Sequence, residues 1–175
     1  KKQVLLEGTE KLQDYVTTES EPYKKNDFIM PVNYSLEFII KPLGTTPDWG
    51  SVLKISDYNS NQHWGRYDKE RIDRGPAIWF NGNSYILYIV QGTNSEHNGA
   101  INTSIPLVKD VESIITITVL NKKLSVYIDG ELQGTKVLNG TTYCFNAKLT
   151  VPGKGTYGGN FPHKVANAEV SNITL

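Results

Sequence analysis

Apolar and polar residues alternate with a period of two along most of this chain, and this pattern constrains its fold more than any other feature. In residues 35–41, the side chains of Leu36, Phe38 and Ile40 share one face, which is typical of a half-buried β-strand. Apart from a short turn near residues 10–15, no segment has the apolar spacing of an amphipathic helix. The chain is therefore predicted to be all-β.

Two neighbouring alternating segments, 115–119 and 124–128, are joined by a short polar reversal. A second reversal follows at Asp129-Gly130, a residue pair that favours turns with positive φ. Residues 112–138 are therefore predicted to form a three-stranded antiparallel meander.

A nine-residue alternation in the C-terminal part of the chain places Cys144 on the face opposite to the apolar residues. The predicted inward set is Tyr143, Phe145, Ala147, Leu149 and Val151. Residues 165–175 alternate in the same way, with Ala166, Ala168 and Val170 on one face. Residues 4–6 and 12–16 are interpreted as two further strands that complete the sheets.

About a dozen short strands, spaced by roughly 8 to 12 residues, predict a two-sheet antiparallel β-sandwich of the jelly-roll type. The length of 175 residues fits a single domain, residues 1–175. Because 18 Lys and Arg balance 18 Asp and Glu, the chain lacks the positive charge expected of a nucleic-acid-binding protein. No apolar run approaches the ~20 residues that span a bilayer, so no direct membrane insertion is expected.

The longest stretch without a strand pattern is residues 57–75, and loops of this length in compact domains are usually functional. Oxygen-bearing side chains on alternate residues at its start are similar to a calcium-binding loop. The candidate calcium ligands are Asp57, Asn59, Asn61 and Asp68. Gln62 stands where such loops have glycine, so a solvated polar turn is the alternative. Calcium is thus the candidate cofactor.

Sequence motifs for catalysis are missing. The chain contains neither G-x-S-x-G nor H-E-x-x-H, and its three histidines lack the spacing of a zinc site. It also lacks the E-x-D-x-E strand that supplies the carboxyl pair in sandwich glucanases. We therefore expect a protein that is not an enzyme.

Aromatic and amide side chains are frequent in and around the long loop. Sugars present apolar C–H patches ringed by hydroxyl groups, which aromatic rings beside polar side chains complement. The predicted ligand-binding residues are Trp64, Arg66, Tyr67, Asp68, Asn81 and Asn83. In this hypothesis Trp64 or Tyr67 stacks on a sugar ring, and the other residues bind hydroxyl groups or a carboxylate. The same aromatic set includes Trp49, Tyr85, Tyr88, Tyr157 and Trp79, the last interpreted as a core residue.

N-x-S/T sequons favour a secreted or cell-surface glycoprotein. They lie at Asn33, Asn102, Asn139 and Asn172.

Several strand sequences, in this order, resemble the concanavalin A-like lectin and glucanase superfamily, and in particular its laminin-G-like jelly-roll domains. They are residues 34–38, 50–55, 76–80, 115–119, 124–130 and 166–173. The most specific is Val126-Tyr127-Ile128-Asp129-Gly130, because such domains have a similar hairpin. The galectin motif W-G-x-E is not matched, since Trp64-Gly65 is followed by Arg66-Tyr67. The acidic metal-binding strand of legume lectins is also missing.

The resemblance implies a binding module that uses loops or a concave sheet, with the sugar or partner left open. Our leading hypothesis is a non-catalytic, extracellular lectin or adhesin that binds a glycan or a glycosylated surface partner and takes part in cell adhesion. One alternative is a protein–protein interaction domain or receptor ectodomain that binds no sugar. Another is a hydrolase whose carboxylates lie on different strands.

Overall fold

The computed structural model describes residues 2–12, 23–45, 49–57, 72–142, 144–152 and 164–175. Within these ranges the secondary structure consists of strands, and no helix is long and apolar enough to cross a bilayer. The strands are β1 (Val4–Lys11), β2 (Lys25–Met30), β3 (Tyr34–Pro42), β4 (Gly50–Ser56), β5 (Ala77–Phe80), β6 (Leu87–Gln91), β7 (Gly99–Asn102), β8 (Ser113–Leu120), β9 (Lys123–Ile128), β10 (Glu131–Val137), β11 (Cys144–Thr150), β12 (Lys164–Val165) and β13 (Ala168–Thr174).

The strands form two sheets. The first sheet has the order β1-β13-β3-β8-β9-β10, and the second has the order β2-β11-β4-β5-β6-β7. Neighbouring strands run antiparallel, except that the short β12 lies parallel to β4 beside that path. The predicted all-β, two-sheet antiparallel sandwich of the jelly-roll type is confirmed.

The hydrophobic core lies between the sheets and contains side chains from both. Leu36, Phe38 and Ile40 of β3 are fully buried there, as the alternation predicted. A polar contact crosses this core, because the hydroxyl of Tyr34 on β3 donates to Oε1 of Gln91 on β6 at 2.5 Å. Gln91 in turn donates from Nε2 to the carbonyl of Gly92 at 2.8 Å. The two sheets are therefore joined by a hydrogen bond as well as by apolar packing.

The predicted meander is confirmed as β8, β9 and β10. Its two turns have positive φ at Asn121 (49°), Lys122 (66°), Asp129 (49°) and Gly130 (81°). Two consecutive residues with positive φ match the right-handed twist of the flanking strands, which is why such turns close tight hairpins.

The predicted orientation of residues at the start of β11 is wrong. Cys144 is buried in the core with 1% exposure, whereas Phe145 is 58% exposed. The register of β11 against β2 shifts between Cys144 and Ala147, and Asn146 is exposed like Phe145. Such a bulge reverses the alternation, because two successive residues oppose one on the partner strand. After it, Ala147, Leu149 and Val151 are buried as predicted, while Tyr143 lies outside the described residues.

One of the two predicted N-terminal strands is present, and most of the other lies outside the described residues. Residues 4–6 belong to β1, as expected, but Leu12 follows that strand and residues 13–16 lie outside the described ranges. The strand β2 was not predicted. Beyond the end of the β1–β13 ladder, Gln3 and Leu175 exchange two backbone hydrogen bonds of 2.7 and 2.8 Å.

Candidate functional site

The outer face of the second sheet carries a row of large side chains. Trp79 of β5 lies opposite Tyr88 of β6, and Tyr88 lies opposite Asn102 of β7. Directly opposed residues of antiparallel strands project from the same face, so these three side chains are neighbours. A second row of Ala77, Val90 and Ala100 lies beside them.

Three aromatic rings pack together on this face, apart from the main core. The ring centroids of Trp49 and Tyr88 are 5.1 Å apart with an interplanar angle of 74°, an edge-to-face arrangement. Those of Trp79 and Tyr88 are 6.0 Å apart. Trp79 is 3% exposed, whereas Trp49 and Tyr88 are half-buried. Trp79 therefore supports the other two rings, which present part of their surface to solvent.

Two asparagine side chains lie next to these rings. Nδ2 of Asn81 donates to Oδ1 of Asn102 at 2.6 Å. The turn that follows β5 holds Asn81 in place, since its backbone N–H donates to the carbonyl of Ile86 and its own carbonyl accepts from the hydroxyl of Ser84. We call the side chains of Trp49, Trp79, Asn81, Tyr88 and Asn102 the outer-face surface.

Arg74 borders the outer-face surface. Its guanidinium carbon lies 5.3 Å from the ring centroid of Trp79, within cation–π range, and Nη1 donates to Oδ1 of Asn98. The backbone carbonyl of Arg74 accepts from the N–H of Gly92 at 2.5 Å and from Nε2 of Gln91 at 3.5 Å. The end of β6 therefore positions Arg74.

His97, in the connection between β6 and β7, is half-buried near Arg74. Burial lowers the pKa of its imidazole, and the positive charge of Arg74 lowers it further. The carboxylates of Asp73 and Glu96 raise the pKa, but their effect is smaller. The neutral imidazole is thus favoured in the folded protein.

The two ends of the long loop meet in the structure. The backbone N–H of Asp57 donates to the carbonyl of Ile72 at 3.2 Å, and Oδ1 of Asp57 accepts from the N–H of Ile72 at 3.1 Å. The carboxylate of Asp73 is buried against the ammonium of Lys54. Lys54 lies on the outer face of β4, opposite Ala77 of β5. These contacts fix where the loop leaves and re-enters the second sheet.

Some of the predicted site residues lie at the outer-face surface or beside it, and the others belong to the long loop. Asn81 belongs to the outer-face surface, and Asn83 is exposed in the adjoining turn. The others lie outside the described residues: Trp64, Arg66, Tyr67 and Asp68. Of the predicted calcium ligands, Asp57 is described, whereas Asn59, Asn61 and Asp68 are not. Among the described residues, no group of three or more His, Cys, Asp or Glu side chains could hold a metal ion.

Sequence reasoning missed Trp49, Tyr88 and Asn102 as members of one surface. Trp49 and Tyr88 appeared only in a wider aromatic set, and Asn102 only as a sequon. A usable signal was the spacing of Trp79 and Asn81, which places both on one face of an extended segment. The register that brings β6 and β7 alongside could not be obtained from the sequence.

Comparisons with known proteins support the fold. No family model matches the sequence, and no curated protein matches it. A heptameric SAP-like pentraxin from Limulus polyphemus is 13% identical with a TM-score of 0.56, and the match covers 99% of this chain and 74% of the pentraxin. Domain 4 of AbnA, a GH43 extracellular arabinanase from Geobacillus stearothermophilus in complex with arabinotriose, is 13% identical with a TM-score of 0.51 over 85% of this chain and 62% of that one.

A mutant Trypanosoma rangeli sialidase is 12% identical with a TM-score of 0.53, over 81% of this chain. The match spans only 20% of the sialidase. Together with the topology of the two sheets, these likenesses identify the fold of the chain as a concanavalin A-like jelly roll.

Proposed function

We propose that the outer-face surface binds carbohydrate and that the chain is a non-catalytic binding module. The observation that carries this proposal is the position of two partly exposed rings, Trp49 and Tyr88, beside the amide pair of Asn81 and Asn102. The rings offer apolar faces for sugar C–H groups, and the amides offer donors and acceptors for hydroxyl groups. Domain 4 of AbnA provides a precedent, since that domain of similar fold was solved with arabinotriose.

Among the described residues, two carboxyl groups at the ends of the long loop support a role without catalysis. Asp73 is held by Lys54 and Ser56, and Asp57 accepts a backbone hydrogen bond from Ile72. Most glycoside hydrolases use two carboxyl groups that flank the scissile bond, one of them able to donate a proton. Asp57 and Asp73 are instead engaged in fixing the ends of the loop.

We also propose that the protein is secreted or displayed at a cell surface, as an adhesion module of the laminin-G-like kind. The support for this is the exposure of every sequon asparagine. They are Asn33, Asn102, Asn139 and Asn172. The loop residues Trp64, Arg66, Tyr67 and Asp68 remain predictions, as an extension of the binding surface.

The test is a screen of the purified, enzymatically deglycosylated protein on immobilised oligosaccharides, followed by affinity measurements on the best ligand. We expect Tyr88→Ala to weaken binding by about tenfold or more, since tenfold corresponds to the loss of about 1.4 kcal/mol. The matched control is Tyr127→Ala, because Tyr127 is also half-buried but lies on the first sheet, where it should leave affinity unchanged. Equal effects of the two variants would contradict the proposed location.

The same screen separates the alternatives. If no oligosaccharide binds, the carbohydrate proposal is overturned and a protein partner becomes the better hypothesis. Turnover of a bound polysaccharide would overturn the non-catalytic role. Repeating the screen with a chelator tests calcium, and Trp64→Ala tests the contribution of the loop. Loss of binding with the chelator would support the ligand set of Asp57, Asn59, Asn61 and Asp68.

A further inference from the structure

Asn102 combines two roles that the sequence alone does not connect. It belongs to the outer-face surface, and it is the first residue of the sequon Asn102-Thr103-Ser104. We propose that Asn102 carries an N-linked glycan and that this glycan covers the outer-face surface, so that modification closes the surface to external ligands. The covering of a binding surface rests on the function proposed above, whereas the modification itself does not.

The side-chain amide of Asn102 suits the modification. Its Oδ1 accepts from Nδ2 of Asn81, and the glycan linkage would be made at the other end of the amide, at Nδ2. Asn33 and Asn172 likewise use Oδ1 as acceptor, for the backbone N–H groups of Asn121 and Gly8. The hydrogen bonds of all three asparagines therefore survive when Nδ2 is substituted.

The chemical step is a transfer from a lipid-linked oligosaccharide to this amide. A bond forms between Nδ2 of Asn102 and the anomeric carbon of the first sugar, while the bond from that carbon to the pyrophosphate oxygen breaks. The lipid pyrophosphate leaves with the bonding electron pair, and Nδ2 loses one proton to a base of the transferase. The amide retains one N–H and its carbonyl oxygen.

The position of Asn102 determines where the glycan lies. Asn102 is directly opposite Tyr88, and the Cβ atoms of such pairs are about 5 Å apart. Asn102 is exposed at the end of β7, and the rings of Tyr88 and Trp49 lie on its β6 side. A sugar linked at Nδ2 can place its C–H face on those rings, where it would occupy the site of an external ligand.

None of the other sequons has this position. Asn33 precedes β3 of the first sheet, and Asn172 lies within β13 of the same sheet. Asn139 follows β10, and its carbonyl accepts from the hydroxyl of Thr93. Modification at Asn102 therefore has a consequence for binding that modification at Asn33 or Asn172 does not.

The experiment uses the full chain secreted from a eukaryotic host, with glycan occupancy mapped by peptide mass spectrometry. We expect a glycan on Asn102 that is lost in Ser104→Ala, which keeps the asparagine and removes the sequon. Ser35→Ala is the matched control, since it removes the sequon of Asn33 on the first sheet. An unmodified Asn102 beside modified sequons elsewhere, or a chain without any glycan, would overturn the proposal.

Covering of the rings is measured by acrylamide quenching of tryptophan fluorescence, which needs no ligand. We expect Ser104→Ala to be quenched more strongly than the glycosylated wild type, and Ser35→Ala to behave like the wild type. Equal quenching of Ser104→Ala and a wild type modified at Asn102 would refute the covering. On the oligosaccharide panel, Ser104→Ala should bind at least about tenfold more tightly than the glycosylated protein. If neither protein binds sugar, the proposed function fails, while occupancy and quenching still decide the modification and the covering.

Discussion

The ammonium group of Lys54 lies 3.0 Å from Oδ1 of Asp73, and the two side chains are only 3% and 0% exposed. Lys54 belongs to β4, and Asp73 stands at the end of the long loop, so the ion pair joins the loop to the second sheet. The hydroxyl of Ser56 donates to the same carboxylate oxygen at 3.3 Å. Charges this deeply buried depend on their partners, because each has lost its hydration.

Lys54→Met should leave the carboxylate of Asp73 buried without its counter-charge. We expect the free energy of unfolding to fall by about 3 to 5 kcal/mol, as measured by urea denaturation. The control is Lys41→Met, since the half-exposed pair of Lys41 with Glu169 should contribute only about 0 to 1 kcal/mol. A loss for Lys54→Met no larger than for Lys41→Met would contradict the dependence of the buried Asp73 carboxylate on Lys54.

Tyr34→Phe tests the hydrogen bond across the core. Removal of the hydroxyl leaves Oε1 of Gln91 buried without this donor, so we expect a loss of about 1 to 3 kcal/mol in the free energy of unfolding. Tyr127→Phe is the control, since Tyr127 lies on the outer face of the first sheet. If both variants lose the same amount, the contact between Tyr34 and Gln91 does not stabilise the sandwich.

His97 should make stability depend on pH. Its pKa is lower in the folded protein than in the unfolded chain, so below its ordinary value of 6.5 the unfolded chain binds more protons. The free energy of unfolding should therefore rise as the pH increases toward 6.5 and level off at higher pH. His97→Gln should remove this rise, as measured by denaturation at several pH values.

The charge of Arg74 contributes to this shift, so Arg74→Gln should raise the pKa of His97 in an NMR titration. An unchanged titration midpoint would contradict the role of Arg74. A pH dependence that persists in His97→Gln would assign it to other groups.

Cys144 should be unreactive in the folded protein. Burial raises the pKa of its thiol well above the ordinary range, and Asp57 raises it further. We expect thiol reagents to modify Cys144 only after denaturant is added, in a spectrophotometric assay with Ellman's reagent. Rapid modification of the native protein would show that the start of β11 opens.

The sequence predicted those parts of the fold that depend on local signals. The hairpin at Asp129-Gly130 follows from the conformations that these two residues allow, and the alternation around Phe38 follows from burial of one strand face. The bulge at Phe145 has no such signal, because it depends on the register between β11 and β2. A displacement of one residue was enough to reverse the predicted orientation of Cys144.

The outer-face surface was only partly predictable for the same reason. Asn81 was expected in the site, and its proximity to the long loop in sequence suggested this. Tyr88 and Asn102 come together with it only through the pairing of β5, β6 and β7. Long-range pairing brings these residues to one face, and a single sequence does not contain that information.

The backbones of Gln3 and Leu175 are paired, so a tether fused before or after the sandwich would leave it at the same place. Both residues lie at the β1 edge of the first sheet, whereas the opposite edge strand, β10, is the one that contacts β7. A flexible tether fused at either end would therefore hold the molecule from the side remote from Tyr88 and Asn102. Immobilised in this way on a bead or sensor chip, the protein would display these two side chains outward.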